Sequence, residues 1–321
     1  MDQRKVQKLI EKYGIPGRDA YDLPESSLRF PDGAHYRMEI SGVERPEVLE
    51  AVIDEAKKRN VPVHRVISVV MGATYLTRAE LKEFAKIAAE AKVEVILTPG
   101  PRSGWDTGRQ LLTPEGSLSG LRFRGADQIR YVVTDILRAV EIGFRGFLVL
   151  DEGLLWLLSQ MRENGDLPKD TVFKVSIFAG HGNPAGAKVL ESLGANTFNP
   201  VADLDLAELA AIRKAVRIPM DLHITLTDSF GGFTRFYDTP EMVRVCAPCY
   251  FKLEPGPACV VGPGALYKPW VSGKTLADWG REKVKHAEII RESWRQASPR
   301  PSSPTGGRRI WPYPSRKRRS P

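Results

Sequence analysis

Between Val172 and Thr227 short segments rich in β-branched and aromatic residues alternate with helical patterns over tight linkers: VFKVSIFAGHG, NPAGAKVLESLG, ANTFNPVAD, LDLAELAAIRKAV and RIPMDLHITLT. Strands that alternate with helices of about ten to fifteen residues read as βαβ units on a parallel sheet. The helix signals agree. Asn183 can cap a helix with Pro184 at its first position and Gly194 after its last apolar turn, and Asp205 stands three residues before Glu208 in a capping-box pattern.

The same alternation extends in both directions. HYRMEISG, VHRVISVV, KVEVILTPG and FLVLDEG precede the stretch as strands, each followed by a helical pattern, and PCYFKLEPG and a long final helix follow it. Eight strand–helix pairs between residues 35 and 297 predict an α/β fold of the (β/α)8, TIM-type barrel class. Loop lengths point the same way. Helix-to-strand links are short, whereas three strand-to-helix links are long: Pro99 to Gly125, Asp228 to Asp238, and Pro255 to Lys274. In such barrels the strand-to-helix loops build the active face. A doubly wound open sheet is the alternative, but no Gly-rich phosphate fingerprint follows the first strand.

Three regions are expected: residues 1–34, an N-terminal helix that packs on the barrel with an irregular lead-in; 35–297, the barrel; and 298–321, a disordered tail rich in Pro and Arg. The seven arginines and lysines of the tail account for all but one of the eight net positive charges, so the high pI says nothing about the ligand of the barrel. Nucleic acid is expected as a partner only through that tail, whose other reading is an appended segment with no role. No apolar run reaches the roughly eighteen residues that span a bilayer, so no membrane is expected. The N-terminal MDQRKVQKLIEKYG is a charged amphipathic helix and not a signal peptide. Cys246, Cys249 and Cys259 are too few for a disulfide framework, and together these features predict a cytoplasmic protein, with a homo-oligomer left open. Cys246-Ala-Pro-Cys249 reads first as an incidental buried pair.

The candidate chemistry follows from strand parity, because alternate side chains share one side of a strand. Polar parity offers Arg37 and Glu39, Ser68, Asp151 or Glu152, Lys174 and Ser176, Asn199, Asp221 and His223, and Lys252 and Glu254 as inward residues. So many buried charges must pair or bind something. An internal salt-bridge network is one reading for Arg37, Glu39 and Lys174. Asp221-x-His223, with Glu39, is the candidate site for a divalent metal ion, or supplies a general base and its orienter. His181, flanked by Gly180 and Gly182 at a helix N-terminus, is a candidate stabiliser of an oxyanion, with a capped turn as the bland alternative. The catalytic candidates are therefore His181, His223, Lys252 and Glu152, and the substrate-binding candidates are Arg102, Asn183, Asn199 and Ser176. Arg102, Trp105, Asp106 and Arg109 read as a lid over a small-molecule or peptide substrate, or as solvated loop charges. Lys252 or Lys174, inside a barrel, is the candidate for Schiff-base chemistry of the aldolase or lyase type.

GNPAGAKVLESLGANTFNPVADLDLAELAAIRKAVRIPMDLHI resembles the collagenase-like peptidases of unassigned type, peptidase family U, number 32, at Leu193-Gly194-Ala195, Leu204 to Glu208, and Leu222-His223. The resemblance implies a barrel whose relatives include metal-dependent peptidases and proteins of oxygen-independent RNA or quinone hydroxylation. It makes peptidase-like, metal-assisted hydrolysis the expected activity and an RNA-associated role an alternative. Where relatives carry Gly-Ala and cluster-binding cysteines, Ile224 to Asp228 stand here, which points away from an iron–sulfur role.

Overall fold

The computed structural model describes residues 2–69, 72–101, 122–226, 233–254 and 271–297. The Arg102, Trp105, Asp106 and Arg109 loop, Cys259 and the tail lie outside the described residues. Strands β1 (Tyr36–Ser41), β2 (Arg65–Ser68), β3 (Glu94–Leu97), β4 (Gly146–Val149), β5 (Val172–Val175), β6 (Thr197–Phe198) and β7 (Met220–Leu226) pair in parallel in chain order. A two-residue strand β8 (Phe233–Thr234) turns back antiparallel on β7, where the sequence had suggested only loop. Then β9 (Cys249–Leu253) pairs with both β7 and β1 and closes eight parallel strands into a barrel.

The helices are α1 (Gln3–Glu11), α2 (Pro46–Lys58), α3 (Arg78–Ala91), α4 (Gly125–Ile142), α5 (Glu152–Asn164), α6 (Pro184–Ser192), α7 (Leu206–Ala215), α8 (Thr239–Cys246) and α9 (Gly273–Ala297). Their starts are set by local chemistry. Thr77 and Glu80 form a capping box at α3, Asp205 and Glu208 form another at α7, and Asn183 and Asp151 cap α6 and α5. The α1 helix buries none of its residues; it lies against the Pro16–Asp22 turn and Lys214, enclosing a cleft of about 460 Å³, while Leu9, Ile10 and Tyr13 stay exposed. Its expected packing face is thus not a core face. Among the described residues no helix is long and apolar enough to cross a membrane.

The core is a shell. Met38, Ile40, Val66, Val95, Leu97, Phe147, Phe173, Phe198, Leu222, Ile224 and Phe251 alternate outward from the strands and are buried against the helices. Gly146 begins β4 because a side chain there would collide with the Val95 carbonyl. The opposite sides of β1, β2, β3, β5, β7 and β9 carry the charges.

Candidate active site at the barrel mouth

Residues in register on neighbouring strands face the same way. The register places Arg37, Glu39 and Ser41 of β1, Arg65 of β2, Glu94 of β3, Lys174 of β5, Thr197 of β6, Asp221 and His223 of β7, and Tyr250 and Lys252 of β9 in one set. That set faces the axis.

Its middle is a closed ring of four charges, all at 0% exposure. Arg65 donates Nε–H to Glu39 and an Nη2 hydrogen to Asp221. Lys174 Nζ completes the ring, 3.2 Å from Glu39 Oε1 and 2.5 Å from Asp221 Oδ2. Burial opposes charge on Arg65, but Asp221 and Glu39 outweigh it and hold the guanidinium protonated. Burial likewise opposes charge on Asp221, yet Arg65 and Lys174 pull its carboxyl below the usual range. For Lys174 burial wins over the two carboxylates and pushes the amine down to about 8. Below the ring, Arg65 stacks on Tyr250 at 3.4 Å from the ring centroid, and Tyr250 donates its hydroxyl to Glu94 Oε2 over 3.2 Å.

Toward the C-terminal ends of the strands the character changes. Glu254, just past β9, accepts at the single oxygen Oε1 from His223 Nε2 (2.8 Å) and Lys252 Nζ (2.5 Å). Burial would raise the Glu254 carboxyl, but Lys252 and His223 bring it down, so it is ionised. Burial and then the Lys252 charge lower the His223 imidazole, which is therefore neutral. An ionised carboxylate only accepts, so the imidazole proton sits on Nε2 and the lone pair on Nδ1. That Nδ1 is buried with no hydrogen-bond partner among the described residues. One strand over and one two-residue step lower, Asn199 donates Nδ2–H to the Asp221 carbonyl (2.6 Å), leaving Oδ1 buried and unpartnered among the described residues. Burial opposes charge on Lys252, but Glu254 and Glu39 raise it, so the ammonium persists.

The predicted residues thus separate into groups. Glu39 and Asp221 belong to the four-charge ring, and His223 belongs to the mouth with Lys252 and Asn199. The expected metal set of Glu39, Asp221 and His223 is not assembled: both carboxylates are occupied by Arg65 and Lys174, and His223 Nε2 is occupied by Glu254. Among the described residues no group of three His, Cys, Asp or Glu side chains has metal-binding geometry. These residues do not fit a divalent ion.

His181 and Glu152 meet at the rim, with His181 Nε2 2.6 Å from Glu152 Oε1, and Arg122 completes the cluster through Nη2 at 3.1 Å from the same oxygen. Ser176 is buried and accepts from the Phe178 amide at the turn that follows β5 (3.3 Å). Asn183 is exposed, and its side-chain oxygen caps α6 through the Gly186 amide (2.9 Å). Arg102 lies outside the described residues. Two parity assignments are corrected: Ser68 faces away from the axis and donates to Glu44 (2.8 Å), and Asp151 caps α5 through the Leu154 amide (3.1 Å). Arg65, Glu94 and Arg122 were not anticipated. Arg65 had a signal: an arginine between His64 and Val66 in an apolar strand has the parity opposite to Ser68.

No protein-family model matches the sequence, and no curated protein does. Among solved structures the chain is similar to the YdjI aldolase from Escherichia coli at 16% identity and a TM-score of 0.45, over 83% of this chain and 93% of that one. It is similar to the U32 peptidase Mk0906 at 18% identity and a TM-score of 0.42, over 71% of this chain and 96% of that one. A D-psicose 3-epimerase from Clostridium cellulolyticum is similar at 9% identity and a TM-score of 0.47, over 79% and 99% of the two chains. Likenesses this distant assign no chemistry.

Proposed function

We propose that the protein is an enzyme that enolises a carbonyl compound by general acid–base catalysis, as a lyase or isomerase does, with His223 as the base. The observation that carries this reading is the His223 imidazole: neutral, fixed through Nε2 by the same Glu254 oxygen that holds the Lys252 ammonium, and presenting an Nδ1 with no partner among the described residues. A substrate carbonyl oxygen accepts from Lys252 Nζ while the adjacent C–H faces Nδ1. The C–H bond breaks, its proton passes to Nδ1, and its electron pair becomes an enolate whose oxygen is held by the ammonium. The proton returns from Nδ1 to carbon or to a leaving group.

Peptidase-like hydrolysis through a metal requires Glu39, Asp221 and His223 as one ligand set, and the ion pairs of the two carboxylates argue against it. Schiff-base chemistry at Lys252 requires a free amine, and its raised pKa points the other way. The test is exchange of carbon-bound protons in D2O, followed by NMR over a panel of aldehydes and ketones. Wild-type protein is expected to exchange the α-proton of at least one compound, and His223→Ala to abolish that exchange. Amide hydrolysis that depends on His223, with no carbon exchange, would overturn the reading.

A further inference from the structure

We infer that the substrate of this mouth is an uncharged, hydroxylated carbonyl compound, bound through its hydroxyl donors and not through an anionic group. The inference rests on the enolising reading for where the carbonyl sits, and on separate observations for the rest.

The first is the pattern of unmet acceptors. His223 Nδ1, Asn199 Oδ1 and the Ser41 hydroxyl are buried and unpartnered among the described residues. A buried acceptor left without a donor costs about 1–3 kcal/mol, so a ligand that supplies donors is favoured at these atoms. Only Nδ1 is needed for the base; Asn199 Oδ1 and Ser41 remain to be satisfied. Asn199 cannot turn its amide round without cost, because Nδ2 already donates to the Asp221 carbonyl over 2.6 Å.

The second is charge. The inward cations are matched: Arg65 and Lys174 by Glu39 and Asp221, Lys252 by Glu254, and Arg37 by Asp32 at 2.9 Å. No described cation in the mouth is left over for a phosphate or carboxylate. An anion there would face the lone pairs of Nδ1 and Oδ1 and the Glu254 carboxylate.

The third is spacing. Lys252 is in register with His223 on the adjacent strand, roughly 5 Å away, and Asn199 lies one strand to the other side and one two-residue step lower, roughly 7 Å along the strand. A short chain with its carbonyl oxygen on Lys252, its acidic C–H on Nδ1 and a hydroxyl on Asn199 matches that order.

The test measures binding, independently of turnover. Ligand-observed NMR and calorimetry would be run with dihydroxyacetone, erythrulose and a free ketohexose, with the phosphate esters and sugar acids of the same skeletons, and with N-acetylated amides. The free hydroxyketones are expected to bind at least tenfold more tightly than their phosphate esters or acids. Asn199→Ala, checked for a cooperative melt, is expected to weaken them at least tenfold. Preference for the charged forms, preference for the amides, unchanged affinity in a folded Asn199→Ala, or no binding of any neutral compound each overturns the inference; the wild-type preferences decide it if that variant does not fold. Hydroxyketone binding without carbon exchange would leave this inference standing and remove the enolising one, whereas exchange on charged substrates alone would do the reverse.

Discussion

Glu254 holds two neighbours with one oxygen, and the two titrate in opposite senses. His223 is lowered from 6.5, by burial and then by Lys252, so it is deprotonated at and above that pH; Lys252 is raised from 10.5 and stays charged up to it. The rate profile is therefore expected to be flat between pH 6.5 and 10.5, with its acid limb below and its basic limb above. Loss of the base in His223→Ala should lower kcat/KM by about 10²–10⁴. Glu254→Gln should bring the basic limb inside that plateau, because Lys252 loses the charge that holds its proton; an unmoved basic limb would show that Lys252 is not the group. The pairing of His223 and Lys252 with the mouth was legible in the sequence, since parity along a strand decides which side chains share a face. Which carboxylate reaches which cation was not legible. Glu39 reads equally well as a metal ligand or an ion-pair partner until the neighbouring strand, in register, brings Arg65 within bonding distance.

At the scale of the strands, the barrel puts most of its large apolar residues outward and its ions inward among a few aliphatic side chains such as Ile67, Ile96 and Leu148, and the four-charge ring makes that arrangement tolerable. The strand and helix order could be read directly, because several helix starts carry their own signal: a capping box at Thr77, another at Asp205, a proline after Asn183. Strand β8 could not, since two residues carry no period. Removing one member of the ring leaves a buried charge without its partner. Arg65→Met should cost about 3–5 kcal/mol in urea unfolding, whereas joint replacement of Glu39, Arg65, Lys174 and Asp221 by apolar residues of similar volume should cost much less or stabilise. If the ring only supports the mouth, the quadruple variant keeps α-proton exchange within about tenfold of wild type. Exchange lost in a folded quadruple variant would move one of these four side chains into the chemistry.

Across the whole molecule, stability should pass through a maximum in mildly acidic to neutral solution, because buried groups pull against each other. On the acid side, His64 and His223 are both lowered from 6.5, mainly by burial, so the folded state takes up protons less readily than the unfolded chain. Their contribution is fully present above 6.5 and is lost as the pH falls toward their folded values. On the other side stands Glu94, raised from 4.5 to about 7 because burial outweighs the pull of Arg65. Its folded pKa lies above its unfolded one, so its contribution is present below 4.5 and is lost as the pH rises through 7. At higher pH the folded protein holds an ionised carboxylate at 5% exposure, with only Oε2 hydrogen-bonded among the described residues, to Tyr250. Glu94→Gln keeps an acceptor for Tyr250 and removes the titration. Urea unfolding should find the variant close to wild type at pH 5 and more stable at pH 8, by on the order of 3 kcal/mol. A gap that does not change between those two pH values would show that Glu94 stays ionised throughout, held by Arg65 beneath the four-charge ring more strongly than its burial opposes.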